Sequence, residues 1–264
     1  MKTSVNGIGI GYDDVGPADA RAVIFLHGFP FNRTMWRSQM QRLAGRCRVI
    51  ACDLRGHGET ETGKAAFSME LFTNDLMGLM DALRVERAVL CGISLGGCIA
   101  LEAAERHPER FSALILCGCR CSADTPEEQA RKLAAVKAVK DEGVQNFAEA
   151  LLGRLFAPET YETAPETVAA VREMMLQTAP LSLERSLLAM RVREETCSKL
   201  PELRMPVLLL VGETDGVTPP ENAAYMKEHF PHAHLSVIPG AGHLSNLENP
   251  AAFNAELERF IAAL

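Results

Sequence analysis

A chain of 264 residues that is 47% hydrophobic and 23% charged has ordinary globular composition and the length to bury a large core, which excludes disordered and fibrous classes. Its formal charge of −7 provides no attraction for nucleic acid or an anionic membrane, and no stretch approaches the roughly 18 uninterrupted apolar residues of a transmembrane span. The start, MKTSVNGIGIGYDD, has no apolar run of signal-peptide length, so a cytoplasmic location is expected, with the eight cysteines reduced and mostly buried.

In chain order, TSVNGIGIGYDD at 3–14 holds a glycine turn between short extended pieces, which predicts an antiparallel hairpin at a sheet edge. Short apolar runs follow at 22–26 (AVIFL), 48–52 (RVIAC), 87–91 (RAVLC), 112–117 (SALILC), 206–211 (PVLLLV) and 234–238 (HLSVI). Stretches of helical composition or periodicity lie at 34–44, 68–84, 95–107, 219–230 and 248–263. Continuous rather than alternating apolarity implies strands covered on both faces, and alternation with helices implies a mostly parallel twisted sheet: an α/β fold.

The alternation breaks once. Between about 120 and 200 there are helix formers, Pro126, Pro158, Pro165 and Pro180, and apolar clusters at Met174-Met175-Leu176 and Leu187–Met190, but no convincing strand. This predicts a helical insertion over the sheet, dividing the chain into a core of 1–119 with 201–264 and an insertion of 120–200. Its methionines are expected to be core, with an adaptable pocket as the alternative use of flexible thioethers. Cys117-x-Cys119-x-Cys121 could offer thiolates to a metal, but partners at zinc-site spacing are missing, so no metal is expected.

The sequence CGISLGG, 91–97, places Ser94 between a predicted strand and a predicted helix, with Gly92 and Gly96 flanking it. A nucleophilic serine needs that context: a strained strand-to-helix turn, small neighbours where helix and strand pass closely, and free amides at the helix start. A serine hydroxyl is a poor nucleophile unless a base takes its proton, and the base needs an orienting acid. Open parallel sheets build sites at strand carboxyl ends, so the base should lie there. Of seven histidines, His243 fits best, in PGAGHLSN after the run 234–238. Asp215 in VGETDGVTPP, beyond the run 206–211, is the acid, with Glu213 as competitor. The amides of Leu95 and of Phe29 in FLHGFP are the expected oxyanion donors; Gly28 allows close approach and Pro30 permits a cis bond. His27 is expected to brace its loop rather than transfer protons.

Ser94, Asp215 and His243 in this order, with HGFP before them, DLRGHG at 53–58 and GHLSNLENP near the end, resemble the α/β-hydrolase superfamily over nearly the whole chain. The resemblance implies that 120–200 is a helical cap over the site and that Asp53 to Gly58 is structural, without catalytic roles for Arg55 or His57. Serine rather than aspartate at 94 sets the chain apart from the superfamily's haloalkane dehalogenases and epoxide hydrolases. A serine rather than a cysteine sets it apart from dienelactone hydrolases. GISLGG and GHLSNLENP look most like the carboxylesterase and 3-oxoadipate enol-lactonase group, implying hydrolysis of a small ester or lactone without metal or organic cofactor. Carbon–carbon bond hydrolases, cofactor-free haloperoxidases or perhydrolases, and receptor-like members that retain their ligand are the alternatives. The expected partner is a small-molecule ester or lactone, not nucleic acid or membrane, and a homodimer is allowed. Aromatic residues at 6% hint at an aliphatic pocket.

Overall fold

The computed structural model describes residues 1–264. Its centre is one eight-stranded sheet formed by β1 (Lys2–Val5), β2 (Ile8–Val15), β3 (Ala22–Leu26), β4 (Arg48–Cys52), β5 (Ala88–Ile93), β6 (Phe111–Cys117), β7 (Val207–Gly212) and β8 (Ala233–Ile238). The order across the sheet is β1-β2-β4-β3-β5-β6-β7-β8. The first hairpin pairs antiparallel to itself and to β4, and all later pairings are parallel. The predicted hairpin and every predicted strand are therefore present.

Strand side chains alternate between faces, so Val23 and Phe25 of β3 enter one apolar cluster while Ile24 and Leu26 enter the other. On the first face lie α1 (Arg37–Leu43) and α10 (Pro250–Ala262); on the second lie α2 (Met69–Ala82), α3 (Leu95–Arg106) and α8 (Pro220–His229). The helix predicted over 248–263 is α10, preceded by the four-residue α9 (Ser245–Glu248), and Asn249 caps α10 ahead of Pro250.

Between β6 and β7 the chain forms α4 (Pro126–Leu152), α5 (Thr160–Thr163), α6 (Pro165–Leu176) and α7 (Pro180–Arg191). Thr125 and Glu128 close a capping box at the start of α4. Gly143 interrupts that helix with φ 85°, so its two halves point differently. A small apolar cluster of Val136, Val139, Phe147, Leu183 and Leu187 binds α4 to α7, while Val171, Met174 and Met175 join the main core. Those two methionines are core, as expected; Met190 faces a cavity.

One expectation fails here. Cys121 and Cys197 form a disulfide across 76 residues, and six cysteines remain free. The bond joins the two ends of the insertion, which lie side by side at its base, where the Thr196 N–H also donates to the Cys121 carbonyl at 2.9 Å. Linear spacing gives no hint of this pairing, because the insertion's return path creates it. No helix is long and apolar enough to cross a membrane.

The loop after β4 is tied down by buried charge. Arg55 meets Asp75 of α2 through two bonds of 2.6 and 2.7 Å, with both side chains almost fully enclosed. Replacing one partner would strand the other charge, so Arg55→Met should lower unfolding stability by about 3 kcal/mol or more. Urea denaturation measures this, and a loss below about 1 kcal/mol would show that the pair does not hold the loop.

Candidate active site

The carboxyl ends of β3, β5, β7 and β8 deliver the candidate groups to the same edge of the sheet, Ser94 and Leu95 both following β5. Ser94 leaves β5 at φ 53° and ψ −116°, a region that non-glycine residues rarely occupy. The turn is held because the Ser94 N–H donates to the Cys117 carbonyl at 2.9 Å and the Cys98 N–H to the Ser94 carbonyl at 3.0 Å. Helix α3 passes so close that a Cβ on Gly92 would stand 2.2 Å from the Gly96 carbonyl oxygen, and one on Gly96 2.4 Å from that of Leu26. Both glycines are steric requirements of the turn.

After β7, Asp215 is 3% exposed, and both its carboxylate oxygens are occupied. Oδ1 accepts the Val217 and Thr218 amides, each at 2.8 Å, and Oδ2 faces Nδ1 of His243 at 2.9 Å. An imidazole that donates from Nδ1 keeps Nε2 as an acceptor. Glu213, the competitor for the acid, instead accepts the Gly240 N–H at 2.9 Å and braces the histidine's loop from outside. Ser94 and His243 line the same cavity without a hydrogen bond between them, a separation common where catalytic contacts tighten only on a bound substrate.

Phe29 follows β3, and the Phe29–Pro30 bond is cis. Neither the Phe29 nor the Leu95 N–H donates in the turn, loop and cap hydrogen bonds of the chain, and both residues line the cavity with Ser94. The structure thus brings together all five residues selected from the sequence.

His27 and His57 lie beneath the site as braces. His27 Nε2 accepts the Leu54 N–H at 2.9 Å and Nδ1 donates to the Gly28 carbonyl at 2.8 Å, tying the loop after β4 to the loop after β3. Asp53 adds to this tie, accepting the Arg33 and Glu59 amides at 2.7 and 2.8 Å and pairing with the Arg33 guanidinium. Within 53–58, Asp53, Arg55 and His57 each make hydrogen bonds inside the chain. Burial lowers the pKa of His27 to about 4, and burial, reinforced by the His27 charge, lowers that of His57 to about 3. His57 donates from Nδ1 to the Arg55 carbonyl, and its Nε2 has no partner.

The cavity has a volume of about 520 Å³. Its floor is Ser94 and His243, and its walls come largely from the insertion: Ala135, Ala138, Phe147 and Leu151 of α4, Leu187 and Met190 of α7. Phe29 and Phe147 meet edge to face at 6.0 Å between ring centroids; the other apolar walls are aliphatic. At the rim, Arg120 is paired with Asp124 and Glu128, and Lys132 with Asp124. Sequence reasoning did not find the α4 wall residues, or Leu155, whose carbonyl accepts the His243 N–H at 2.8 Å. The apolar cluster Leu187–Met190 was the one signal for the α7 wall, and for α4 the sequence pattern does not say which face covers a cavity.

A turn-mounted serine, a carboxylate-oriented histidine and two free amides at one cavity floor define a hydrolase-type site. The family profile described as "alpha/beta hydrolase fold" matches residues 21–250, and the chain belongs to that family. Among curated proteins it is similar to 3-oxoadipate enol-lactonase 2 of Acinetobacter baylyi, 30% identical over 251 residues that cover 95% of this chain and 92% of the relative. Among solved structures, a thermophilic esterase from Thermogutta terrifontis superimposes with TM-score 0.95 at 33% identity, covering 100% of this chain and 98% of the other. The enol-lactonase from Burkholderia xenovorans LB400 gives TM-score 0.93 at 26% identity, with 99% and 100% covered.

The lowered histidines predict how stability depends on pH. In the unfolded chain both rings protonate near 6.5, whereas in the folded chain they stay neutral down to about 4 and 3. Between these limits the unfolded state binds more protons, so stability falls as pH drops below 6.5, approaching about 1.4 kcal/mol per pH unit for each ring. His57→Gln should flatten this decline in urea midpoints measured from pH 7.5 to 5. Parallel curves for variant and parent would exclude His57 as a contributor.

Proposed function

We propose that the chain hydrolyses a small carboxylic ester or lactone through an acyl-enzyme on Ser94. The observation that carries this reading is the 2.9 Å contact of His243 with a fully bonded Asp215 at the floor of the cavity that Ser94 also lines. Its similarity to an esterase and to enol-lactonases points to the same chemistry.

In the first half-reaction Ser94 Oγ attacks the substrate carbonyl while His243 Nε2 takes the hydroxyl proton. Asp215 holds the ring and stabilises the imidazolium, and the Phe29 and Leu95 amides receive the charge that develops on the carbonyl oxygen. The imidazolium then returns its proton to the departing alkoxide or enolate. Water, deprotonated by His243, attacks the acyl-enzyme in the second half-reaction, and collapse of that intermediate releases the acid and restores Ser94. Every proton transfer passes through one imidazole, so no metal or organic cofactor is required. The helices between 120 and 200 act as the cap that sets acyl and alcohol size, with walls of alanine, leucine and methionine suited to an aliphatic acyl chain. The cytoplasm as compartment and a homodimer as assembly are part of the same proposal, checked by cell fractionation and light scattering.

A fluorophosphonate probe should modify the intact protein once, at Ser94, and Ser94→Ala should abolish both labelling and turnover of aryl esters and lactones. Asp215→Asn should lower kcat by about 10³-fold or more while the fold persists, because the amide supports the wrong imidazole tautomer. An adduct mapping outside the 88–106 peptide, or an Asp215→Asn enzyme with parental kcat, would end this assignment.

A further inference from the structure

The loop carrying His243 is held by Asp215 at the ring and by Glu213 from outside, but its backbone is also gripped where it meets the insertion. The side chain responsible is Glu248, at the end of α9. Its Oε1 accepts the N–H groups of Gly242 at 2.9 Å and Leu244 at 3.2 Å, the residues on either side of His243. Its Oε2 accepts the Ala157 N–H at 2.7 Å and the Thr160 hydroxyl at 2.9 Å, both in the stretch that follows α4. The intervening amide, that of His243 itself, donates to the Leu155 carbonyl at 2.8 Å. Three consecutive amides around the histidine are thus fixed, two by one carboxylate and one by the insertion's backbone.

Packing shows how tight this junction is. A Cβ on Gly242 would stand 2.6 Å from the Ala157 nitrogen and 2.7 Å from the Phe156 carbonyl carbon, so loop and insertion are in direct backbone contact. Leu155, whose carbonyl receives the His243 amide, also lines the cavity. A carboxylate that accepts four donors is fully used as an anion bridge, and no other side chain makes hydrogen bonds to both the histidine loop and the 155–160 stretch.

We propose that Glu248 is a positioning residue that locks the His243 loop to the insertion and so fixes the imidazole between Asp215 and Ser94. This rests on the reading of His243 as the base. The imidazole must accept from Ser94 and donate to the leaving group within a few tenths of an ångström, and a displacement near 1 Å costs about 10²-fold in rate. Asp215 fixes the ring's Nδ1 but not the path of its backbone; Glu248 restrains that path on both sides of the histidine, beside the Leu155 carbonyl on the His243 amide and the contacts of Glu213 and Thr214 with Gly240 and Ala241. Loss of the clamp acts on proton transfer and leaves the cavity walls that bind substrate largely in place, so the effect belongs in kcat rather than KM.

Glu248→Gln is nearly isosteric, yet it has one acceptor and one donor end. Whichever way the amide turns, its NH2 faces at least one backbone N–H: those of Gly242 and Leu244 on one side, that of Ala157 on the other. In the full-length protein, with an aryl ester as substrate, kcat should fall by about tenfold to 10²-fold with KM changed by less than about threefold, and fluorophosphonate labelling of Ser94 should slow by a similar factor. Thermal unfolding checks that the variant is folded. Should it fail to fold, Thr160→Val removes a single contact of the four and should still lower kcat by about twofold or more at constant KM. His243→Ala is measured alongside. If it loses turnover while Glu248→Gln, or Thr160→Val in its place, keeps parental kcat, the clamp is only structural and this proposal fails. If His243→Ala itself turns over normally, the assignment of the base fails instead.

Discussion

The site depends on one backbone constraint, the positive-φ conformation of Ser94. A non-glycine residue at φ 53° costs on the order of 1–3 kcal/mol and survives only where its surroundings over-determine it. Here they do: the residue's own N–H is bound by β6, its carbonyl starts the ladder of α3, and the helix sits on glycines against β5 and the end of β3. Relaxing the turn would break the first bond of α3 and separate two elements packed at backbone distance. The strain is therefore carried by the whole α3–β5–β6 unit, and it places a hydroxyl beside unused amides at the head of a helix, where negative charge is favoured.

Around that point the structure assigns its histidines by their partners. His27 and His57 sit in dry surroundings and bond to backbone groups, and burial keeps them neutral far below ordinary histidine titration. His27 has both ring nitrogens engaged, so it has no free lone pair to offer a substrate. His243 differs in having a carboxylate on one nitrogen and the cavity on the other side. Three imidazoles within one layer of loops thus have different chemistry, decided by whether the partner is an amide, a carbonyl or an anion.

This division explains what the sequence could and could not disclose. Ser94, Asp215 and His243 were legible because each lies just past an apolar run that only a buried parallel strand accounts for, and strand ends define a common edge. Phe29 and Leu95 followed from the same geometry. The Cys121–Cys197 bond was not legible, because an insertion of helices returns to its base by packing among its own apolar faces, which no local pattern encodes. The kink at Gly143 was hidden as well: helical periodicity continues through it, and only the positive φ reveals the change of direction. Glu248 lies in GHLSNLENP, in plain view, but two of its partners, Ala157 and Thr160, lie 91 and 88 residues away on the insertion, so the motif shows the residue without its work.

The same contacts bear on how far binding and chemistry can be separated in this molecule. Were the insertion a detachable lid, residues that shape the cavity could vary while the floor stayed constant. Leu155 does not allow that division: its side chain lines the cavity while its carbonyl holds the amide of His243. A change of wall shape that moves the end of α4 must therefore move the histidine loop, or break a hydrogen bond to avoid doing so. The disulfide at the insertion's base restricts such movement at the other end. Substitutions in the first half of α4, ahead of Gly143, are free of this linkage, since the kink separates them from Leu155. Changes there should redirect substrate preference with little loss of rate, whereas changes after the kink alter both together.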